Sequence, residues 1–203
     1  MKPIEFIILL LFILTLGCMA GEPVKESLAT DPIAYHLTYT RNGDIHGHGS
    51  CFAISKTTVL TARHNCYRDK KPLDCYMIVA GIKYPLTLVK DDSDLDLALL
   101  SVAGCLLVPN TIVECAPDLP ITLAGFPRGE FKSSQGVLVR HYWDGSAKSL
   151  LRVVFDHGNS GSPVSQGSKI VGIALAGVAK DGDLDKGKCL FLPTNAVLYF
   201  LNK

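Results

Sequence analysis

Apolar and polar positions follow each other in many short runs, which turn residues separate along most of the chain. In the first half the runs are Ala34–Thr40, Ser50–Ser55, Thr57–Thr61, Tyr76–Ala80, Tyr84–Val89 and Leu97–Val102. In the second half they are Ile121–Ala124, Gln135–Tyr142, Leu150–Phe155, Ser162–Val164, Ile170–Ala176 and Leu190–Leu192. Their β-branched and aromatic residues favour strands, and many short strands at regular spacing are typical of a barrel or a sandwich. The pattern therefore predicts an all-β fold.

The end of the chain has a different pattern. Residues 196–201 form a continuous apolar run, and Thr194 or Asn195 can cap a helix directly before it. We therefore expect one short C-terminal helix.

The N-terminus carries the longest apolar run, Phe6–Leu16. It is shorter than the roughly 20 residues that span a bilayer, and it has the length of a signal-peptide core. Cys18 and Ala20 are small residues suited to cleavage after Ala20, which predicts a signal peptide over 1–20 and a polar arm over 21–33. In a second interpretation Leu16-Gly17-Cys18 resembles the end of a bacterial lipobox, whose cysteine is lipidated. Both interpretations predict that the mature chain is exported. It would be attached to a membrane only in the second, in which Cys18 is lipidated.

Composition limits the class of protein. The chain has 203 residues and a formal net charge of +1. This length fits one domain or two small lobes, and the balanced charge provides no field that would attract nucleic acid. Six cysteines remain after the leader, at positions 51, 66, 75, 105, 115 and 189. An even number of cysteines in an exported chain predicts disulfides.

Three stretches carry candidate chemistry. Ser160 lies between Gly158 and Gly161 in a run of small residues that ends at Pro163. His64 follows an apolar strand, and Asp96 precedes the apolar run Leu97-Ala98-Leu99-Leu100. A serine hydroxyl is a weak nucleophile that needs an imidazole to take its proton and a carboxylate to orient that imidazole. The chain supplies all three groups.

The three stretches resemble motifs of the chymotrypsin-like serine peptidases: Thr61-Ala62-Arg63-His64 before a cysteine, Asp96-Leu97-Ala98-Leu99-Leu100, and Gly158-Asn159-Ser160-Gly161-Ser162-Pro163. The last motif is most similar to the compact branch that includes the glutamyl endopeptidases. The resemblance covers residues 34–202. It implies two six-stranded Greek-key barrels, over about 34–108 and 118–193, with the site between them and a helix over 195–202, all within a peptidase domain at 34–203.

The resemblance also implies roles for individual residues. Ser160 would be the nucleophile, His64 the general base and Asp96 the residue that orients His64. Asp94 competes with Asp96, because strand alternation places both carboxylates on one face. The backbone N–H groups of Gly158 and Ser160 would form the oxyanion hole. We expect Arg63, which stands where the family has a small residue, to point outward, and Asp91 and Asp92 to be solvated loop charges.

The resemblance also implies a specificity pocket, whose positions are carried over from the family by counting from Ser160. Val154 would lie at the base of the specificity pocket with Phe155 beside it, and Ala174, Leu175, Ala176 and Gly177 would form the wall that pairs with an extended substrate. These residues favour an apolar side chain before the scissile bond. Ala174 stands where glutamyl endopeptidases have a histidine, for which His157 or His141 would have to substitute. In the trypsin-like branch an aspartate at the position of Asn159 pairs with the N-terminus that activating cleavage creates. Uncharged Asn159 cannot form this ion pair, so we expect no zymogen switch of the trypsin type.

Cysteines and histidines outside the triad leave alternatives. The family has a disulfide at the positions of Cys51 and Cys66. The pairing of the other four cysteines stays open: Cys105–Cys115 would close a local loop and would leave Cys75–Cys189, but six cysteines allow 15 connectivities. Asp44, His46 and His48 could be interpreted as metal ligands, but histidines in a Gly-rich loop favour a solvent-facing role, and too few ligands are present for a closed site. No metal and no cofactor is predicted.

The sequence thus predicts a secreted, monomeric serine endopeptidase that acts on a protein or peptide through an acyl-enzyme on Ser160. Two alternatives remain: a catalytically silent binding module of the same fold, and an esterase of the same fold.

Overall fold

The computed structural model describes residues 33–41, 43–116, 119–141, 148–180 and 183–203. The predicted leader at 1–20 and nearly all of the predicted arm at 21–33 lie outside the described residues. No helix among the described residues is long and apolar enough to cross a membrane. The described chain is built mainly of antiparallel strands that close into two six-stranded barrels, and the predicted all-β fold is confirmed.

The first barrel contains six strands in the order β1-β2-β3-β8-β7-β6. The strands are β1 (Tyr35–Arg41), β2 (Asp44–Ala53), β3 (Thr58–Ala62), β6 (Asp74–Val79), β7 (Ile82–Asp92) and β8 (Leu97–Val102). A small hairpin of β4 (Tyr67–Arg68) and β5 (Lys71–Pro72) projects between β3 and β6.

The second barrel repeats this connectivity in the order β10-β11-β14-β13-β12-β9. Its strands are β9 (Ile121–Gly125), β10 (Lys132–His141), β11 (Ser149–Arg152), β12 (Pro163–Gln166), β13 (Lys169–Lys180) and β14 (Asp183–Pro193). In both barrels the third strand pairs with the sixth, so the two halves share one topology although their sequences show no repeat.

A shared core joins the two barrels. Each barrel has its own apolar interior, and a third cluster combines residues of both with the C-terminal helix; its fully buried members include Phe52, Leu60, Leu97, Ile173, Leu192 and Val197. The burial of β2 reflects this arrangement, because the strand is exposed at its start and fully buried from Gly49 to Ala53, where it enters the junction. The junction therefore fixes the ends of the strands that carry the site.

The C-terminal helix α1 (Thr194–Asn202) begins one residue before its predicted start. Pro193 is its N-cap and no side chain caps it, because the Thr194 hydroxyl instead donates to the Val113 carbonyl. At the other end the Lys90 ammonium donates to the carbonyls of Phe200 and Leu201, at 2.7 and 3.0 Å. A cation suits the negative end of a helix, and this contact ties the helix to the first barrel.

The predicted Cys51–Cys66 disulfide is not formed, since all six described cysteines are free thiols. Cys66 instead forms a thiol hydrogen bond with Cys75, which together with burial raises the pKa of Cys66. Cys51 donates to the Tyr35 carbonyl at 3.8 Å. The pairs Cys75–Cys189 and Cys105–Cys115 are not formed either. Cys75 and Cys189 are buried in the cores of different barrels, and Cys105 and Cys115 are half-buried residues that pack against those two cores.

Candidate active site

His64 and Asp96 form a hydrogen-bonded pair at the edge of the first barrel. His64 lies in a 3₁₀ turn directly after β3. Its Nδ1 atom is 2.7 Å from Asp96 Oδ2, and its backbone N–H donates to Asp96 Oδ1 at 3.0 Å. The carboxylate thus holds both the ring and the backbone of His64. This geometry favours the tautomer with a proton on Nδ1 and a free lone pair on Nε2.

The backbone of Asp96 is left-handed, with φ of +57°. It lies in the turn before β8 and not in a strand, so the alternation that was expected to place Asp94 beside it does not apply. Asp94 is exposed, and its backbone N–H donates to Asp92 Oδ1 at 2.9 Å. Asp96 is the carboxylate that reaches His64.

The charges around this pair are more ordered than predicted. Arg63, expected to point outward, forms an ion pair with Asp91 and packs over the Tyr67 ring, 4.1 Å from its centroid. Asp92 accepts hydrogen bonds from the backbone of Leu95 and Asp94, and the Leu95 bond is the main reason for its lowered pKa. Asp91 and Asp92 therefore shape the turn that carries Asp96 and are not merely solvated.

Ser160 lies in the tight turn between β11 and β12. Its carbonyl accepts the backbone N–H of Ser50 and the side chain of Asn65, both at 2.9 Å. Its hydroxyl donates to the Leu175 carbonyl at 2.8 Å and not to His64. Ser160 and His64 nevertheless line one cavity, and hydrogen bonds between catalytic groups are often unmade in free enzymes.

Gly158 meets the requirements of an oxyanion hole. Its φ is +100°, and a Cβ there would lie 2.4 Å from the Phe126 carbonyl, so only glycine fits. The preceding carbonyl of His157 accepts the Arg128 backbone N–H at 2.8 Å. Because the C=O and N–H of a trans peptide point in opposite directions, the Gly158 N–H is directed away from Arg128. Within the described chain neither Gly158 nor Ser160 donates its backbone N–H to another residue.

Ser50 connects the oxyanion turn to the first barrel. Its buried hydroxyl donates to the Gly158 carbonyl at 2.8 Å and accepts the Phe126 backbone N–H at 2.9 Å. Buried Asn65 adds a second link, since its amide also donates to Thr61 Oγ1 at 3.0 Å. Sequence analysis missed both residues. The one available signal was their polarity beside the apolar runs of β2 and β3.

Two cavities adjoin the turn that carries Ser160, and Arg128 lines both of them. The larger, of about 540 Å³, is lined by His64, Ser160 and Gly158 together with Tyr39, His46, His48, Arg128 and His157. The smaller, of about 220 Å³, is lined by Val154, Asp156 and Asn159 but not by Ser160 or His64. Val154 is 61% exposed and does not line the cavity that contains Ser160. The prediction that it forms the floor of a pocket opening at the serine is therefore wrong.

The other predicted specificity residues divide by burial. Phe155 and Ala174 are buried in the core of the second barrel, and Leu175 is buried in the core that joins the barrels. Leu175 meets the site only through its backbone carbonyl. Ala176 is exposed and Gly177 half-buried on β13, and beyond Ala174 the described part of β13 pairs only with β14. The edge that faces the site is therefore open to an extended chain.

The histidines outside the triad do not gather as a metal site. No group of three or more His, Cys, Asp or Glu side chains in the described ranges is arranged to hold a metal ion. His46 and His48 lie on β2 and not in the predicted Gly-rich loop. His46 is exposed, whereas His48 is half-buried and its Nδ1 is 2.9 Å from Nε2 of His36.

A model of the trypsin-like peptidase domain matches residues 49–173, which include all three triad positions. The chain belongs to the trypsin-like peptidase family. As a member of it, the protein is a serine protease and therefore a hydrolase, as predicted; the expected likeness to the glutamyl endopeptidase branch stays a prediction.

Solved structures are similar to this trypsin-like peptidase in fold. The active form of the Rv3671c protease from M. tuberculosis is 20% identical with a TM-score of 0.70, and the match covers 87% of this chain and 82% of that one. Its inactive form is 17% identical with a TM-score of 0.69, covering 86% and 90%. None of the curated proteins matches the chain.

Proposed function

We propose that this trypsin-like peptidase is a secreted endopeptidase that cuts peptide bonds through an acyl-enzyme on Ser160. The observation that carries the proposal is the two-point hydrogen bonding of His64 by Asp96, beside a cavity that Ser160 and Gly158 also line. It fixes an imidazole with its basic nitrogen available, which is what an unactivated serine hydroxyl requires.

In the proposed reaction the Ser160 hydroxyl turns from Leu175 towards His64 Nε2, which takes its proton as Oγ attacks the scissile carbonyl. The backbone N–H groups of Gly158 and Ser160 donate to the oxyanion, and one such donor contributes roughly 2.7–4 kcal/mol to transition-state stabilisation. His64 then gives its proton to the leaving amine. Water repeats the sequence to release the acyl group and restore the Ser160 hydroxyl.

The substrate would bind as an extended strand. The open edge of β13 at Ala176 and Gly177 offers backbone donors and acceptors to the segment before the scissile bond. Pairing through the backbone supports internal cleavage of protein or peptide chains.

A silent binding module is the second candidate, and the hydrogen bond from Ser160 to the Leu175 carbonyl favours it. If this bond persists in solution, the nucleophile is withheld from His64 while the open edge of β13 still binds extended peptides.

A fluorophosphonate probe on the purified mature chain separates the two candidates. We expect labelling of the wild type and none of Ser160→Ala, together with cleavage of a denatured protein that falls by on the order of 10⁶ in the variant. A folded wild type that the probe does not label would contradict the enzymatic function and leave the binding module.

N-terminal sequencing and mass analysis of the exported product test cleavage after Ala20 against lipidation of Cys18.

A further inference from the structure

The larger cavity lies on the leaving-group side of Ser160. Its lining comes from β1 and β2, the turn at 126–129, the His64 turn and the Ser160 turn, and includes no described residue of β13. In the proposed function the acyl segment of the substrate pairs with β13. The segment after the scissile bond must therefore leave Ser160 in the other direction, into this cavity.

The polar side chains that line the cavity can each donate a hydrogen bond, and none of them carries a negative charge. Outside the triad its lining presents the Arg128 guanidinium, the imidazoles of His46, His48 and His157, and the Tyr39 phenol, with no aspartate or glutamate among the lining residues. Arg128 is held by Asp156, 3.0 Å from Nη2, and is 70% exposed. A guanidinium carries five N–H donors in a fixed fork, so this one ion pair leaves donors for a ligand.

The wall of the cavity is fixed by packing. Nε2 of His36 contacts His48 at 2.9 Å, and the His36 ring stacks on Phe126 with centroids 5.1 Å apart. Gly129 closes the turn against His48, where a Cβ would lie 3.3 Å from the ring. Arg128, which lies between Phe126 and Gly129 in this turn, has a left-handed backbone with φ of +56°. A strained non-glycine residue persists where its surroundings hold it, and such positions cluster at functional sites.

We propose that this cavity binds a carboxylate in the leaving-group segment of the substrate. Its principal donors are the Arg128 guanidinium and the Nε2–H of His48, in the tautomer whose Nδ1 accepts a hydrogen bond from His36. The inference rests on the proposed function, because the position of the substrate follows from it. The carboxylate has two possible sources with the same chemistry: an acidic side chain within the first two residues after the scissile bond, or the free chain end of a short leaving group.

Matched peptides test the proposal through the ratio of kcat/KM values. One pair carries Glu or Gln at each of the first two positions after the scissile bond, with amidated ends; the other ends two residues after the bond as a free acid or an amide. A charged hydrogen bond predicts a preference for the carboxylate on the order of tenfold. The preference should fall to near one in Arg128→Gln and His48→Gln. Lys132→Gln, which removes a cation from the smaller cavity, should retain it.

The outcomes separate the two sources and the two proposals. A preference in the Glu pair assigns the cavity to side chains, and one in the free-acid pair alone assigns it to chain ends. Ratios near one in an enzyme that the fluorophosphonate labels would overturn the carboxylate site, as would a preference that survives Arg128→Gln but not Lys132→Gln. Calorimetric binding of the same peptides to Ser160→Ala tests the site without hydrolysis, so a missing nucleophile cannot be mistaken for a missing subsite.

Discussion

The carboxylate of Asp96 is the residue-scale feature on which catalysis depends most directly. Its left-handed backbone turns the side chain back onto the His64 ring, while the Asp94 side chain stays exposed two positions earlier. Replacing Asp96 by Asn keeps the shape but removes the charge and allows the wrong imidazole tautomer. In a related triad the same change lowers kcat by about 10⁴.

We therefore expect Asp96→Asn to reduce peptide turnover by about 10⁴ and Asp94→Asn to leave it within about threefold of the wild type. Initial rates on one peptide, with thermal unfolding to confirm folding, measure both. Equal losses in the two variants would show that the turn carries either carboxylate to His64.

Replacing either of two buried threonines by valine should change the free energy of unfolding, with opposite signs at the two positions. Thr38 on β1 is 1% exposed and its hydroxyl has no hydrogen-bond partner in the described chain. Thr61 on β3 is fully buried, and its hydroxyl donates to the Ser50 carbonyl and accepts from Asn65. Valine has the same shape without the hydroxyl. An unpartnered buried hydroxyl destabilises the folded state, whereas a bonded one supports it.

Thr38→Val should therefore raise the free energy of unfolding by about 1 kcal/mol, and Thr61→Val should lower it by about 1–3 kcal/mol. Urea midpoints with unchanged m-values give both numbers. A Thr38→Val variant less stable than the wild type would contradict the prediction and indicate a partner for that hydroxyl.

Residues with local signals were predictable from the sequence, and residues that act across the fold were not. His64, Asp96 and Ser160 each lie in a motif of consecutive positions, which identified them. Ser50 contacts Gly158 across 108 positions of chain, and no periodicity connects them. Arg63 and Asp91 are joined across 28 positions by the pairing of neighbouring turns.

At the scale of elements, β1 and β2 hold the turn at 126–129 through an uncharged histidine. Burial, helped by the neighbouring His48, lowers the pKa of His36 to about 4. An unfolded chain has an imidazole pKa of about 6.5, so between these values it binds more protons than the folded state. The free energy of unfolding should therefore fall as pH falls from about 6.5 to 4.

His36→Phe keeps a ring against Phe126 but cannot titrate. We expect urea unfolding of this variant to lose part of the acid dependence between pH 6.5 and 4, while the slopes of both proteins agree above pH 7, where His36 is neutral in both states. An unchanged acid slope in His36→Phe would mean that other groups cause it.

Strand positions followed from alternation, whereas the course of the connecting turns did not. Most predicted strands match the observed ones within four residues at each end, since a buried face requires apolar side chains at every second position. The exceptions are β2, which begins at Asp44 and not at Ser50, and β14, which begins at Asp183 and not at Leu190. Asp96 was misplaced on a strand because the turn at 93–96 contains no glycine or proline to mark it. Val154 was also misplaced, because counting from Ser160 gives its position in the chain but not the direction in which its side chain points.

At the scale of the whole molecule, the six thiols that the structure describes divide between the barrels. Cys51, Cys66 and Cys75 are buried in the first barrel with Cys105 packed against them, whereas Cys189 is buried in the second with Cys115 beside it. The barrel bounds predicted from the sequence, about 34–108 and 118–193, already place Cys75 and Cys189 in different barrels. Disulfides need Cα atoms within about 7 Å, which separate cores do not provide.

Oxidation of the folded protein should therefore link cysteines only within a barrel, with Cys66–Cys75 as the main pair. Peptide mapping after alkylation at low pH would identify the links, and Cys75→Ser should abolish the main one. A Cys75–Cys189 peptide from folded protein would contradict this division.

The support of Ser160 has a consequence for how the protein is made. Its carbonyl is held by Asn65, 95 positions earlier, and the next two residues of its turn pair with Ala174 of β13, which follows in the chain. Synthesis proceeds from the N-terminus, so a nascent chain possesses His64 and Asp96 long before Ser160 has its surroundings. We expect ribosome-bound chains that end before β13 to be hydrolytically inert. The cell would then build this protease without exposing itself to it, because cutting begins only when the last barrel closes.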